Sequence, residues 1–374
     1  FKPTNVHEKG EGARISIGSR TSPTGPIRPR AIATVLVNKG WCAIVPIEKI
    51  LNLQQFSNIA VEIRLMKYNK DLDFFRAILI GLVILIHIVN FGNIYPDIKN
   101  AILAFFMPAF LVITGYLVNI EKTLRQFALY LWRIWLPYML LVLGFAGLSL
   151  YLPVRDGITS FDVPTVLNVL FVKSIGPYWF LHVMMVCGIL YYAAFRALPK
   201  LDVTAKYSLF AALLIGVSLF TPLLDIHAAF YYFLGVGVRQ YIGDFSRIYK
   251  ASLWPILPFG LLIVQREYWG WGTIAMLVCV VSFFCFAAYF SRLTTGRTKQ
   301  VIDYIGRNTF PIYIFHPIFT MLSKYYLPLF GFDPTGLLHA FVTVGVGLGG
   351  TLALALLLDR TRLSYLFGRK RILR

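Results

Sequence analysis

The sequence contains few charged residues, and acidic residues are the scarcest among them. Only 14% of its 374 residues are Asp, Glu, Lys or Arg, whereas an ordinary soluble domain has about a quarter. Hydrophobic residues make up 57% of the chain, and apolar runs long enough to cross a bilayer recur along most of it. This composition excludes an ordinary soluble globular protein and predicts an all-α protein that crosses a membrane many times.

Cysteine is also scarce, and its positions do not suggest a site. Cys42, Cys187, Cys279 and Cys285 have neither the spacing of a zinc site nor that of a redox motif. Three of the four lie in apolar runs, where cysteine mostly behaves as a small hydrophobic residue. The sequence therefore supports neither a disulfide framework nor a metal site, and we expect no metal.

The shortage of acidic residues gives the chain a net charge of +19. A charge of this size would suggest nucleic acid as a partner, but the basic residues cluster between apolar segments, and no DNA- or RNA-binding element is recognisable. Clustering of this kind is typical of membrane topology. We therefore expect membrane lipids around the chain and no nucleic-acid partner. The sequence makes no prediction of the oligomeric state.

The first 65 residues differ from the rest of the chain. They are rich in Gly, Pro, Ser and Thr, and the first methionine in the sequence is Met66. Segments of this composition cannot bury enough apolar surface to fold. We predict that residues 1–65 are a disordered leader or a non-native extension, with a folded domain as the alternative. Residues 66–374 are predicted to form the membrane domain.

About ten transmembrane helices are predicted, with both termini on the cytoplasmic side. The ten apolar segments are residues 74–92, 100–119, 127–152, 178–198, 207–224, 227–242, 251–264, 271–290, 309–327 and 337–358. With this segmentation, 21 Lys and Arg residues lie in the cytoplasmic loops and ends, and only 5 lie in the loops on the opposite side. This asymmetry satisfies the positive-inside rule.

Arg76 and His87 are the most informative polar residues, because both lie within one apolar run. Ionisable groups inside a membrane are costly and usually functional. A separation of eleven positions places both on nearly one helix face, about 16 Å apart along the axis. An arginine there needs an anionic partner, and a buried neutral histidine can act as a general base. The alternatives for His87 are a proton relay and a structural residue bonded to a neighbouring helix.

Four sequence elements between residues 72 and 316 together suggest a family. They are Leu72-Asp73-Phe74-Phe75-Arg76 followed ten residues later by His87, the phenylalanine-rich run 105–117 that ends in Thr114-Gly115-Tyr116-Leu117, Tyr178-Trp179-Phe180-Leu181, and Gly306-Arg307-Asn308-Thr309-Phe310-Pro311-Ile312-Tyr313-Ile314-Phe315-His316. In this order they resemble the acyltransferase 3 family of integral membrane O-acyltransferases. Thr114 departs from the family pattern, which commonly has serine there.

The resemblance implies both an activity and a location. Members of this family take an acyl group, often acetyl, from cytoplasmic acyl-CoA and place it on a hydroxyl of a cell-envelope glycan or lipid-linked sugar. It thus implies a multi-pass protein of the bacterial inner membrane, with acyl-CoA as the donor substrate and no tightly bound cofactor. His87 would be the catalytic general base. Direct transfer and an acyl-histidine intermediate are both compatible with the resemblance.

The resemblance also suggests residues that bind the donor. Arg76, near the cytoplasmic edge, is expected to bind phosphate, and the distance of about 16 Å to His87 is comparable with the reach of the pantetheine arm. Lys122, Arg125 and Arg133 are further candidates, since cations there would face an anionic donor. The alternative for each of these three is ordinary anchoring of a cytoplasmic loop.

Further candidates lie in the later elements. Trp179 and His316 are expected to bind substrate, and the oxyanion of the reaction needs hydrogen-bond donors, for which Tyr116, Trp179 and Tyr313 are candidates. Helix packing is the alternative for these aromatic residues. Asn308 has the sequence context of a helix N-cap, with a proline in the following first turn.

Two other functions are compatible with many membrane spans. In a transporter or flippase, Arg76 and His87 would line a path for an anion or a proton, but the chain shows no internal repeat of the kind common in transporters. A polysaccharide polymerase or ligase usually has a large outer loop with paired arginines. The longest outer loop here has only Arg155 and Lys173.

Overall fold

In the computed structural model the chain divides into two units, Phe1–Tyr68 and Asn69–Arg374. The structure describes residues 69–151 and 157–374, and in the first unit only the backbone of three strands. These form an antiparallel sheet in the order β1 (Ala13–Gly18), β2 (Ile32–Val37) and β3 (Trp41–Pro46). The prediction for residues 1–65 otherwise falls outside the described residues and stays a prediction.

The described part of the second unit is helical, as predicted. Its α-helices in chain order are α1 (Lys70–Ile86), α2 (Val89–Ile94), α3 (Pro96–Leu117), α4 (Leu124–Ser149), α5 (Val163–Phe171), α6 (Trp179–Arg196), α7 (Val203–Phe220), α8 (Ile226–Gly237), α9 (Ile256–Ile263), α10 (Ile274–Leu293), α11 (Gly296–Arg307), α12 (Thr309–Tyr326) and α13 (Leu337–Arg360).

Within the described residues, six helical stretches are long and apolar enough to cross a membrane. They are α3, α4, Gly176–Arg196 (which includes α6), α7, α10 and α13. The all-helical, multi-pass character of this unit is thereby confirmed. Ten crossings and cytoplasmic termini stay predictions.

Helix α1 lies among other helices of the second unit. It contacts α3, α10, α11, α12 and α13, and Leu79 and Ile84 on it are fully buried. A helix that is hydrophobic all round is typically buried in this way. Its first turn is held by Asn69, whose side chain accepts a hydrogen bond of 2.9 Å from the backbone N–H of Asp71. The buried polar residue Asp73 on α1 therefore faces protein, which makes specific partners available to it.

The first predicted span, residues 74–92, is interrupted at His87. Helix α1 ends at Ile86, where the N–H of His87 bonds the carbonyl of Ile84 at 3.1 Å. The ring nitrogen Nδ1 of His87 lies 2.7 Å from the carbonyl oxygen of Val83. A side chain that donates a hydrogen bond to a helix carbonyl competes with the backbone N–H groups for that carbonyl. No glycine or proline stands at the break, so the sequence contains no ordinary stop signal there.

Helices α3 and α8 cross at very short range because each has a glycine at the contact. A Cβ atom on Gly115 would lie 2.2 Å from the carbonyl oxygen of Tyr232, and one on Gly235 would lie 2.1 Å from that of Val112. Small residues of this kind allow membrane helices to approach closely. Gly115 belongs to the phenylalanine-rich element, so that element has a packing role.

A methyl group at this crossing is expected to destabilise the protein. We expect Gly235→Ala to lower the thermal unfolding temperature in detergent, since overpacking costs about 1–3 kcal/mol. Gly216→Ala on α7 is the matched control, because a Cβ there meets nothing within 4 Å, and it should leave that temperature unchanged or raise it slightly. Equal unfolding temperatures for the two variants would contradict the close crossing.

Candidate active site

Two histidines from distant parts of the sequence lie together. The rings of His87, at the end of α1, and His316, on α12, have centroids 4.9 Å apart and planes at 66°. His316 is fully buried, and His87 is partly buried. The first and the last of the four sequence elements therefore meet at one point.

Both histidines are oriented by backbone carbonyls. Nδ1 of His316 lies 2.7 Å from the carbonyl oxygen of Tyr313, a carbonyl that Pro317 cannot bond because proline has no N–H. In the same way, Nδ1 of His87 faces the carbonyl of Val83. A ring nitrogen facing a carbonyl oxygen must carry the proton, so in each neutral ring Nε2 holds the lone pair. Sequence inspection did not identify these orienting groups.

His316 has a further property that makes it chemically notable. Its Nε2 atom is buried and has no hydrogen-bond partner among the residues that the structure describes. A buried acceptor without a partner is unfavourable in the folded state. The site therefore presents an imidazole lone pair that a hydroxyl group of a substrate would satisfy.

Arg76 joins α1 to the beginning of α12. Its Nη2 donates to the hydroxyl of Thr309 at 2.6 Å, and its Nη1 donates to a carboxylate oxygen of Asp73 at 3.3 Å. The side chains are 19% and 4% exposed for Arg76 and Asp73 respectively, so this is a largely buried ion pair. Asp73 is thus an anionic partner of Arg76. Because His87 meets His316 on the same helix, Arg76 and His87 both contact α12.

The other predicted phosphate ligands separate into two groups. Lys122 precedes α4, and its Nζ lies 4.1 Å from the ring centroid of Tyr130. Burial lowers the pKa of Lys122, and the positive charges of Arg374 and Arg133 lower it further, which places these three cations in one neighbourhood. Arg125 is exposed on the first turn of α4 and has no hydrogen bond or ion pair with any described residue.

Two cations at the C-terminal end of the chain, Arg369 and Arg374, join this neighbourhood, although their positions in the sequence suggest only a basic tail. The guanidinium of Arg369 lies 4.3 Å from the ring centroid of Phe310, and it donates to the backbone carbonyl of Arg133 at 3.0 Å. Burial, together with the positive charges of Arg374 and Arg133, lowers the pKa of Arg369 to about 10. Nothing in the sequence around Arg369 and Arg374 distinguishes these two residues from ordinary basic residues.

Asn308 connects the C-terminal residues to α12. It occupies the predicted N-cap position before Thr309, but its side chain makes no capping hydrogen bond there. Instead its side-chain oxygen accepts from the backbone N–H of Arg374 at 2.8 Å, and its Nδ2 donates to the carbonyl of Tyr304 at 2.9 Å. Asn308 is fully buried, so it holds Arg374 beside the residue that binds Arg76.

Trp179 is linked to the histidine pair through aromatic rings. It begins α6, and its ring centroid is 6.3 Å from that of Phe180, which is 5.7 Å from that of Tyr313. Tyr313 is in turn 5.8 Å from His316. The third sequence element therefore lies beside the fourth. Trp179 also packs at 6.2 Å from Trp271.

The tyrosines considered as oxyanion donors already have partners. The hydroxyl of Tyr116 donates to the carbonyl of Gly243 at 3.0 Å and accepts from the N–H of Phe245 at 3.3 Å. The hydroxyl of Tyr313 donates to the carbonyl of Pro177. Both tyrosines therefore stabilise packing between chain segments in this structure.

Among the described residues there is no group of three or more His, Cys, Asp and Glu side chains that could hold a metal ion. What the site does offer is a pair of imidazoles where α1 ends and a set of cations where α12 begins. Helices α1 and α12 each extend from one of these regions to the other.

The sequence matches a protein-family model over most of its length. The family model described as "Acyltransferase domain" matches residues 69–360, a range that contains all four sequence elements. No curated protein and no solved structure gave a match. Because the matched range covers well over half of the sequence, the chain belongs to the acyltransferase 3 family of membrane acyltransferases.

Proposed function

We propose that the protein is a membrane O-acyltransferase that moves an acyl group from cytoplasmic acyl-CoA to a hydroxyl of a cell-envelope glycan or lipid-linked sugar. Acetyl is the acyl group we favour, and the bacterial inner membrane is the location we propose. The observation that carries this proposal is the pairing of His87 with His316 on the same two helices that hold Arg76. Family membership supports the acyl transfer itself.

In the proposed reaction His87 acts as the general base. Its Nε2 lone pair accepts the proton of the sugar hydroxyl while the hydroxyl oxygen attacks the thioester carbonyl carbon. The tetrahedral intermediate then collapses, the C–S bond breaks, and the CoA sulfur leaves with the proton from the imidazolium. The carbonyl of Val83, 2.7 Å from Nδ1, keeps the ring in the required tautomer throughout. Proton transfer by a positioned group contributes about 10²–10⁴-fold.

The donor is proposed to bind with its phosphates at the cationic end. Arg76, Lys122 and Arg133 would contact phosphate oxygens, and Arg125 would contribute from the exposed first turn of α4. Cation–phosphate hydrogen bonds are among the stronger ones in proteins. The pantetheine arm would then follow the face of α1 toward His87, over the distance of about 16 Å that eleven helical residues span.

The acceptor is proposed to bind at the imidazole end. His316 would accept a hydrogen bond from a second hydroxyl of the sugar, which satisfies the buried Nε2 atom. Trp179 would lie against the sugar, since it is partly exposed and packs toward His316 through Phe180 and Tyr313. A site that hydrogen-bonds substrate hydroxyls also discriminates against substrates that lack them.

A substitution of His316 is expected to separate acceptor binding from donor binding. We expect His316→Gln to raise KM for the acceptor by about tenfold, since a lost hydrogen bond in a buried site costs about 1–3 kcal/mol. Acyl-CoA affinity should stay within twofold of wild type. Steady-state kinetics with each substrate varied in turn would measure both. An equal loss for both substrates would contradict the acceptor role.

The proposal as a whole is tested by acyl-CoA turnover. The purified chain is incubated with acetyl-CoA, and CoA release is measured with and without envelope glycans. We expect release that depends on the glycan and a product that carries an alkali-labile ester. Absence of both acyl-CoA binding and CoA release would refute the acyltransferase proposal and favour the transporter alternative. Uptake of anions into proteoliposomes is the assay for that alternative.

A further inference from the structure

The C-terminal residues of the chain turn back onto α4 and α12 in a defined way. We name this segment, residues 363–374, the hook. The carboxylate of Asp359, at the end of α13, accepts hydrogen bonds from the backbone N–H groups of Ile372 at 2.7 Å and Leu373 at 3.1 Å. The Asp359 side chain therefore holds the end of the hook in place.

The hook is also anchored by burial. Ser364 is fully buried, Ile372 is 2% exposed, and the hydroxyl of Ser364 donates to the carbonyl of Lys370 at 3.1 Å. Phe367 packs on Phe315 of α12, with ring centroids 5.7 Å apart. A segment with this many specific contacts is an ordered part of the second unit.

The anchoring brings like charges together, which is unfavourable unless an anion is present. Arg369 reaches the backbone of Arg133, and Arg374 is bonded to Asn308, the neighbour of the residue that binds Arg76. Arg374 also interacts electrostatically with Arg76. None of the ion pairs among the described residues involves Arg369, Arg374 or Arg133. Opposing cations inside a specific fold are typical of a site that binds a multiply charged anion.

We propose that the hook is part of the donor site and that Arg369 and Arg374 bind phosphate groups at the nucleotide end of acyl-CoA. This inference rests on the proposed function and extends it, because it assigns phosphate binding to a segment that follows the last membrane helix. Asp359 and Asn308 are then positioning residues, which fix the hook against α12. A phospholipid headgroup carries the same phosphate chemistry and is the alternative that the experiment must distinguish.

The test measures equilibrium binding of CoA, which cannot turn over, to the full chain in phosphatidylcholine nanodiscs. We expect Arg369→Gln and Arg374→Gln each to weaken CoA binding by about tenfold, as for a lost hydrogen bond to a charged group. Arg371→Gln is the matched control, because Arg371 is exposed in the same hook and should stay within twofold of wild type. Pantetheine, which lacks phosphate, should bind all four proteins equally.

The outcomes separate the two proposals. If wild type binds CoA and both variants match it, the role of the hook is refuted while the proposed function stands. The measurement is repeated in nanodiscs that also contain the anionic lipid phosphatidylglycerol. If the variants bind CoA as wild type does and differ from it only in their response to phosphatidylglycerol, the two arginines bind lipid, and the role of the hook in CoA binding is refuted. Failure of wild type to bind CoA would refute the proposed function itself. Arg374→Gln should fold normally, because Arg374 is attached to Asn308 through its backbone N–H and the substitution leaves that hydrogen bond in place. A loss of CoA binding in this variant is therefore not explained by a folding defect.

Discussion

The variant His87→Gln is expected to reduce the turnover number for acyl transfer by about 10²–10⁴-fold, the usual contribution of a general base. Glutamine is similar in size and can still donate to the carbonyl of Val83, so the end of α1 should be preserved. What it lacks is the basic lone pair that takes the proton of the attacking hydroxyl. The measurement is single-turnover CoA release from acetyl-CoA with saturating acceptor.

A matched control for this variant is His339→Gln. His339 is also a buried histidine, but it lies on α13, where its Nε2 is 3.2 Å from the carbonyl of Ser323 and its ring packs on Tyr326 and Phe330. Its replacement should affect stability without a large effect on turnover. If both variants lose turnover to the same extent, or if His87→Gln keeps wild-type turnover, the catalytic assignment of His87 is wrong.

The variant Arg76→Met is expected to have the second large effect, on both stability and donor binding. Removing one member of a buried ion pair costs about 3–5 kcal/mol, because the remaining charge loses a favourable interaction that offset its burial. Asp73 is only 3% exposed, so we expect a clearly lower thermal unfolding temperature. We also expect CoA affinity to fall by about tenfold or more, since a cation is removed from the proposed donor site.

The double variant Arg76→Met/Asp73→Asn separates these two effects. Neutralising Asp73 removes the buried carboxylate charge that Arg76 had balanced, so part of the lost stability should return. CoA affinity should remain as low as in Arg76→Met, because the phosphate ligand is still absent. Recovery of affinity together with stability would show that Arg76 acts only by holding the fold.

The sequence predicted the class of fold and the family, and the roles that it suggests for individual site residues stay predictions. Apolar runs and loop charges identify a multi-pass helical protein, and the four elements identify the family. The meeting of His87 and His316 was not predicted, because 229 positions separate them in the sequence. The break in the first span was also missed, since His87 ends α1 with its own side chain and no glycine or proline marks the position. Asp73, in contrast, lies three residues before Arg76, a spacing at which helix residues are neighbours, and could have been found.

The C-terminal hook, which we propose as part of the donor site, could not be predicted from the sequence. Arg369 and Arg374 look like ordinary cytoplasmic anchors, and only their contacts with Arg133, Phe310 and Asn308 bring them to the start of α12. Those contacts depend on Asp359 accepting from backbone N–H groups thirteen and fourteen residues later. Pairings of this length have no periodic signature in the sequence.

The most direct test of the central claim follows the acyl group itself. Inside-out membrane vesicles from bacteria that produce wild type or His87→Gln are supplied with radiolabelled acetyl-CoA, so that the donor meets the cytoplasmic face. We predict that wild-type vesicles accumulate label in alkali-labile, envelope-derived sugar and that His87→Gln vesicles do not. Equal labelling of the two, or no labelling above vesicles without the protein, would contradict the account.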